Sequence, residues 1–354
     1  MHIGDSVMQE SGTGKSHQQF VEQNGTSRLH LSLAVNDNDH LRDLTNGVVQ
    51  ADGIMLTPQI LQIEEIFYRF TNHLEWDVSE MSFAKYISLT AAGNARMIAI
   101  PVFPSRVFRH SAFYVRKQSG ISTAEQLQGK TIGIPEWAQT AGVYVRGLLS
   151  HYYGVDLKSI KWVQAGVNQP GRKEKVNLSL PQGIQYSSRQ DKSLNEMLLS
   201  GEIDVAITAR PPQAFHDAGS DVVRLFADSR AEERKFYQQT GIFPIMHVIA
   251  MRRDVFEANR WIAMSLFKAF EESKNRSLER MKDITASGIP LPWQTGYVEE
   301  VVTAFGEDFW PYGIQHNRPT LEAFCRYAYE QGVASHHLEV EELFPKEVHA
   351  SFRV

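Results

Sequence analysis

The sequence predicts an α/β protein of two lobes, each a mostly parallel sheet flanked by helices. At 354 residues the chain is too long for one ordinary core and should form about two domains. Strand-like and helix-like segments alternate at the spacing typical of parallel βα units. The chain leaves the first unit near Tyr114 and returns near Ile245. The predicted division is a flexible polar leader over residues 1–28, a discontinuous lobe over residues 29–114 and 246–354, and a second lobe over residues 115–245.

The first unit follows from strand-like runs separated by helical patterns. The strand candidates are residues 29–35, 52–56, 76–81 and 96–102, and the helix candidates are residues 36–47, 60–70 and 83–92. Ligands of parallel sheets lie beyond the carboxyl ends of the strands. Ser82 and the loop after residue 102 occupy such positions. We therefore expect Ser82 to contact a ligand.

The second unit repeats the alternation after Tyr114. Its strand candidates are residues 130–134, 159–164, 203–208 and 222–226, its helix candidates are residues 141–153, 194–200 and 230–239, and an irregular basic loop is expected over residues 168–188. Thr140 lies at the start of a helix, where backbone amide groups without internal partners can bind an anion. Arg210 follows the strand over residues 203–208. Both residues are therefore candidates for contact with a ligand.

Composition narrows the class of partner. The chain carries 36 basic and 41 acidic residues, a net charge of −5, so no whole-chain field favours nucleic acid or an anionic membrane. No apolar run is long enough to span a bilayer, and residues 1–28 contain no segment typical of a signal peptide. The single cysteine, Cys325, excludes an internal disulfide and a CxxC metal site. These features predict a cytoplasmic protein, and a homo-oligomer is left open.

The stretch from Pro101 to Tyr114 concentrates basic side chains between apolar flanks. Pro101 and Pro104 resist helix, which predicts that Arg106, Arg109 and His110 lie on a loop at the end of a strand. Such loops commonly carry binding groups. The alternative for an Arg-x-x-Arg pattern is a solvated basic turn.

Four motifs resemble those of the 4,5-dihydroxyphthalate decarboxylase family, which has the two-lobed fold of type II periplasmic binding proteins. They are PVFPSRVFRHSAFYVR at residues 101–116, GKTIGIPEWAQTAGVYVRG at 129–147, GEID at 201–204 and TGIFPIMHVIAMRRD at 240–254. GEID is common to many binding-protein folds, whereas the other three motifs are more distinctive. Trp137 replaces the tyrosine associated with the family, and we therefore count it among the residues expected to contact the substrate.

The resemblance implies a carboxy-lyase that acts without oxidation. Its substrate would be an aromatic dicarboxylate, most simply 4,5-dihydroxyphthalate, which would yield protocatechuate and carbon dioxide in phthalate degradation. A dianion suits the planar guanidinium groups of Arg106, Arg109 and Arg210. The helix start at Thr140 suits the carboxylate that is retained.

Proton transfer in this reaction needs one base and one acid, and histidine titrates nearest to neutral pH. His110 and His247 lie within the matching motifs at the predicted lobe crossings, with Glu136 as a partner or an alternative base. An isolated histidine is also often structural, and Glu136 can simply favour the start of the following helix. The division of acid and base roles stays open at this stage.

The sequence offers no compact metal-ligand set such as HExxH or HxH. We therefore predict no cofactor, although a divalent metal is the alternative because catechols chelate such ions. The rival function is a cytosolic solute-binding or sensor protein for an aromatic carboxylate, without catalysis. Fold alone does not separate the two, because one architecture can host many functions.

Overall fold

The computed structural model describes residues 20–23, 26–174, 176, 178–285 and 288–350. The strands are β1 (Phe20–Gln23), β2 (Thr26–Val35), β3 (Ile54–Ile60), β4 (Val78–Ser82), β5 (Met97–Arg106), β6 (Phe113–Arg116), β7 (Thr131–Ile134), β8 (Lys161–Gln164), β9 (Gln185–Ser188), β10 (Val205–Ile207), β11 (Val222–Arg224) and β12 (Ile245–Arg252). The α-helices are α1 (Arg42–Thr45), α2 (Ile63–His73), α3 (Phe83–Ala91), α4 (Thr140–Gly147), α5 (Leu194–Ser200), α6 (Ser229–Thr240), α7 (Arg253–Ala258), α8 (Ile262–Lys282), α9 (Gln294–Phe305) and α10 (Arg318–Glu330).

The first sheet contains the strands of the first unit and the returning strand β12. Its order is β1-β2-β4-β12-β5, with β3 also paired to β2. The pairings of β2 with β3 and β4 are parallel, and β12 is antiparallel to both β4 and β5. In this register His247 lies opposite Ser82 on β4 and Ser105 on β5. The return of the chain thus places His247 beside the carboxyl end of β4.

The second sheet has the order β11-β6-β10-β7-β8-β9. Strands β7, β8, β9 and β10 pair in parallel, whereas β6 is antiparallel to β10 and β11. The central strands are buried and apolar, as expected of a sheet covered on both faces. Two such sheets flanked by helices confirm the predicted two-lobed α/β fold.

The strand that ends at the basic stretch differs from expectation. β5 runs through Pro101 and Pro104 to Arg106, so Arg106 ends a strand and does not lie on a loop. β5 is the outermost strand of its sheet and pairs with β12 alone, with irregular register between Ile245 and Ile249. An edge position tolerates proline because the missing amide hydrogen is not needed for a second partner.

Two further expectations about local structure need correction. Residues 20–23 and 26–29 form an antiparallel hairpin, so residues 20–23 and 26–28 do not belong to a flexible leader, and residues 1–19 lie outside the described part of the chain. The loop expected over residues 168–188 contributes β9 at its end, paired to β8. Both β1 and β9 are short strands at the edge of a sheet. Their polar sequences gave no strand-like pattern.

Candidate active site

A cavity of about 520 Å³ lies between elements of the two sheets. Helix α2, the start of α3 and β12 line one side, and residues 135–136 and 138–141, the loop after β8 and the residues after β10 line the other. Of the predicted site residues, the structure brings Ser82, Arg109, Glu136, Thr140, Arg210 and His247 to this cavity. Arg106, His110 and Trp137 do not line it.

His247 faces the cavity and is held from behind by a carboxylate. Its Nδ1 lies 2.6 Å from Oε1 of Glu80, a fully buried residue of β4. The other oxygen of Glu80 accepts a 2.9 Å hydrogen bond from the Asn36 backbone amide. Phe67 of α2 packs edge-on against the imidazole, with ring centroids 4.9 Å apart. This arrangement fixes the orientation of the ring and leaves Nε2 for a ligand.

The N-termini of two helices meet at the cavity through Ser82 and Thr140. The two hydroxyls share a hydrogen bond of 3.1 Å, and the Thr140 hydroxyl also accepts one of 3.1 Å from the Ala84 amide. Ser82 caps α3, and Thr140 is the first residue of α4. Both hydroxyls are therefore engaged with protein, while the partial positive charge of two helix starts acts on the cavity.

Arg109 contributes its guanidinium to the cavity. Its Nη2 contacts the sulfur of Met246 at 2.9 Å, and its buried Nε has no hydrogen-bond partner among the described residues. Burial lowers the pKa of Arg109 to about 10, against the opposing charge of Glu233. Since no described carboxylate forms an ion pair with it, Arg109 can bind an anionic ligand.

Arg106 was expected beside Arg109 as a carboxylate ligand, but the structure places it in the protein interior. Its guanidinium donates to the carbonyls of Phe243 and Pro311 at 3.2 and 2.7 Å and also to the Asn317 side chain. It lies over the rings of Phe103 and Phe243. Three residues along an extended strand and its exit turn suffice to point two arginines in different directions. Arg106 is therefore a structural anchor.

His110 was expected to transfer protons, but it is buried away from the cavity. Three aromatic rings surround it, those of Tyr153, Phe226 and Phe236, with centroids 5.4–6.2 Å away. Neither ring nitrogen has a hydrogen-bond partner among the described residues. Burial lowers the pKa of His110 to about 4. These apolar surroundings therefore favour the neutral form of the imidazole.

Glu136 lines the cavity as half of an ion pair. Its side chain is 8% exposed, and Nε and Nη2 of Arg172 both approach its Oε1, at 2.7 and 2.6 Å. The guanidinium thus contacts one oxygen of the carboxylate through two nitrogens, and the charged contact restrains both side chains.

Arg210 lies at the rim, where it pairs with Glu64 of α2 across the cavity. The two side chains are 77% and 58% exposed, so solvent screens this pair.

Trp137 was expected to contact the substrate and is instead fully buried in the second unit. Its indole donates to the Gln331 carbonyl at 2.8 Å, and the buried guanidinium of Arg146 stacks 3.9 Å from the ring centroid. The Trp162 ring packs against it edge-on. The large apolar area of an indole favours this core position over an exposed one.

Sequence reasoning missed Glu80, Lys85, Phe67 and Arg172. A glutamate within a predicted strand is a detectable signal, because a fully buried carboxylate is rare unless paired. Lys85, in the first turn of α3, carries a weaker signal, since cations are disfavoured there. Phe67 and Arg172 carry no such signal. Only the assembled fold brings them to the cavity.

Among the described residues, no group of three or more His, Cys, Asp or Glu side chains is arranged to hold a metal ion. Over the same residues, no helix has both the length and the apolar character needed to cross a bilayer.

Curated proteins similar to this chain share one name. A 4,5-dihydroxyphthalate decarboxylase from Comamonas testosteroni is 37% identical over 329 residues, covering 93% of this chain and all of the relative. A protein of the same name from Pseudomonas putida is 38% identical over 213 residues, covering 60% of this chain and 83% of the relative. No family model matches the chain.

Solved structures support the fold. The periplasmic aliphatic sulphonate binding protein SsuA from Escherichia coli aligns with a TM-score of 0.51 at 11% identity, over 90% of this chain and 98% of that one. A putative sulfonate-binding SsuA from Methylobacillus flagellatus aligns with a TM-score of 0.51 at 15% identity, over 89% and 91% of the two chains. At such identities the likeness concerns architecture alone.

Proposed function

This chain belongs to the 4,5-dihydroxyphthalate decarboxylase family, and from that membership we propose that it removes one carboxylate from 4,5-dihydroxyphthalate. The products are protocatechuate and carbon dioxide, formed without oxidation in phthalate degradation. The observation that carries the proposal beyond family membership is the His247–Glu80 pair, which faces a cavity that also contains Lys85 and Arg109, two cations without an ion pair among the described residues.

The substrate itself supplies the electron flow that the reaction needs. Each carboxylate of 4,5-dihydroxyphthalate is para to a hydroxyl group. Withdrawal of the hydroxyl proton raises the electron density at the ring carbon that bears the carboxylate. A proton added to that carbon then allows the carbon–carbon bond to break, and its electrons return to the ring as carbon dioxide leaves. The protein must therefore provide one proton acceptor and one proton donor.

His247 is the proposed proton-transfer group. The buried carboxylate of Glu80 accepts the Nδ1 hydrogen, so Nε2 is the nitrogen presented to the substrate. The same carboxylate stabilises the imidazolium that forms when Nε2 takes up a proton, as expected of a carboxylate–histidine pair in a water-poor site. Glu136, held by Arg172, is the proposed partner for the second proton.

Arg109 is the proposed anchor for a substrate carboxylate, because it lines the cavity and no described carboxylate pairs with it. Its neighbour Met246 directly precedes His247 on β12. A carboxylate bound to Arg109 would thus lie close to the proton-transfer group. The aromatic ring can pack against Phe67, which already contacts the imidazole.

The chemistry also sets the proposed partners and compartment. The partner is a small aromatic dicarboxylate, with no role for nucleic acid or membrane, and we propose a cytoplasmic location. Oligomer formation is compatible with this activity and is not required by it.

The test is incubation of purified full-length protein with 4,5-dihydroxyphthalate, before and after treatment with a chelator, while protocatechuate and carbon dioxide are measured. We expect turnover in both samples. Turnover only after a divalent metal is added would replace the cofactor-free version of the proposal. Saturable binding without release of carbon dioxide would instead favour a binding or sensor protein.

A further inference from the structure

The charged side chains around the cavity are unequally paired. Arg210 is paired with Glu64, and Arg172 with Glu136. The remaining carboxylate, Glu174, accepts a 2.5 Å hydrogen bond from the Trp137 amide. Lys85 and Arg109 are the cavity cations for which no ion pair is found among the described residues.

Lys85 occupies a position that is electrostatically unfavourable for a cation. It is the third residue of α3, whose first turn contains no acidic side chain. A helix start carries partial positive charge and favours anions, and the start of α4 lies beside it through Thr140. Lys85 is also half-buried, and this burial lowers its pKa although the charge of Glu174 opposes the shift.

Lys85 and Arg109 line the same cavity as His247, and neither forms an ion pair with another described residue. Lys85 belongs to the turn that begins at Ser82, and Ser82 is directly opposite His247 in the pairing of β4 with β12. Arg109 approaches through Met246, the residue before His247. A ligand bound in this cavity against His247 therefore has two cations available to it, which suits an aromatic ring with two carboxylates.

We propose that Lys85 is a specificity-determining residue that binds one carboxylate of the substrate while Arg109 binds the other. This inference rests on the proposed function for the identity of the substrate. Lys85 makes the cavity select an aromatic dianion over a monoanion. It also favours release of the product, which keeps only one carboxylate and cannot satisfy both cations.

The test compares an unreactive dianion with an unreactive monoanion. Binding of phthalate and of benzoate to full-length wild type, Lys85→Gln and Lys85→Arg is measured by calorimetry. Lys268→Gln is the matched control, since Lys268 is an exposed helical lysine outside the cavity. We expect wild type to prefer phthalate, and Lys85→Gln to weaken phthalate binding by about tenfold or more. Benzoate binding should change by less than about threefold.

The conservative variant and the control make the result interpretable. Lys85→Arg should keep more of the phthalate preference than Lys85→Gln, and Lys268→Gln should keep all of it. The midpoint temperature of thermal unfolding should be no lower for Lys85→Gln than for wild type, because the removed positive charge is unfavourable beside the helix starts. Lys85→Met serves as a second neutral variant if Lys85→Gln does not fold.

Three results would overturn the assignment of Lys85: equal loss of both ligands in the neutral variants, no loss of either, or a wild type without preference for phthalate. Carbon dioxide release from 4,5-dihydroxyphthalate is measured separately on wild type. No release together with a Lys85-dependent phthalate preference would reject the proposed function and keep the charge assignment. Release of carbon dioxide by wild type, together with an unchanged phthalate preference in Lys85→Gln, would keep the proposed function and reject the assignment of Lys85.

Discussion

His110 and His247 both lie within family-like motifs at predicted lobe crossings, but the structure gives them different surroundings. His247 forms a 2.6 Å hydrogen bond with a buried carboxylate and faces a cavity. His110 has three aromatic rings around it and no hydrogen-bond partner for its ring nitrogens among the described residues. A histidine that transfers protons needs both a group that orients it and access to the substrate. Of the two, only His247 has both.

The largest expected effect separates the two histidines by activity. His247→Asn removes the proposed proton-transfer group and should lower kcat by about a thousandfold, within the usual range for general acid–base catalysis. His110→Phe should change kcat by less than about threefold, since the side chain does not reach the cavity. The measurement is the steady-state rate of protocatechuate formation. Comparable losses in both variants would remove the distinction drawn here.

The next effect concerns stability against pH. The pKa of His110 is lowered to about 4 in the folded protein, against about 6.5 when unfolded. The unfolded chain therefore binds the proton more tightly, and stability falls as the pH decreases from about 6.5 to about 4. The full cost is about 3 kcal/mol, from about 1.4 kcal/mol per pKa unit. His110→Phe should lose that much less unfolding free energy between pH 7 and pH 4, measured in urea, and parallel curves would contradict the buried neutral state.

Arg106 and Arg109 offer a similar contrast between structure and binding. Arg106→Met removes the arginine donor of the Phe243 carbonyl and one of the two donors of the Pro311 carbonyl, the other being Asn317, and should reduce the unfolding free energy by about 2–3 kcal/mol. Arg109→Met should leave stability within about 1 kcal/mol of wild type and raise KM for 4,5-dihydroxyphthalate about tenfold. Urea unfolding and initial rates on the same two variants decide between these assignments. The opposite pattern would exchange their roles.

The smallest expected effect is at the rim of the cavity. Arg210→Gln breaks an exposed ion pair with Glu64, and such pairs contribute about 0–1 kcal/mol. We expect KM to change by less than about threefold. The unfolding free energy should change by less than about 1 kcal/mol. Initial rates and urea unfolding again provide the measurements. A loss of kcat comparable with that of His247→Asn would place Arg210 among the reacting groups.

The alternation of strands and helices predicted the fold because periodicity and strand-end chemistry are local properties. It also placed Ser82 and Thr140 near the carboxyl ends of strands, where the cavity lies, and it placed His247 at a predicted lobe crossing. The direction of a side chain is not local in this sense. Arg106 turns inward because Phe243, Pro311 and Asn317, which are distant in sequence, supply carbonyl acceptors.

Pairing across the sheet was equally inaccessible from the sequence. Glu80 and His247 are 167 residues apart, and they meet because β12 returns to pair with β4. The chain order gives no indication that β12 inserts between β4 and β5. A glutamate within a predicted strand was the available signal, and when buried it indicates a partner without identifying it.

The proposed proton transfer requires His247 and Glu80 to act as one unit. The most direct test is a double-mutant cycle on kcat with Glu80→Gln, His247→Asn and the double variant, with folding checked by thermal unfolding. If Glu80 acts through His247, the double variant will be no slower than His247→Asn alone, because residues that function as a unit are not additive. Additive losses, or full activity in Glu80→Gln, would contradict the central claim.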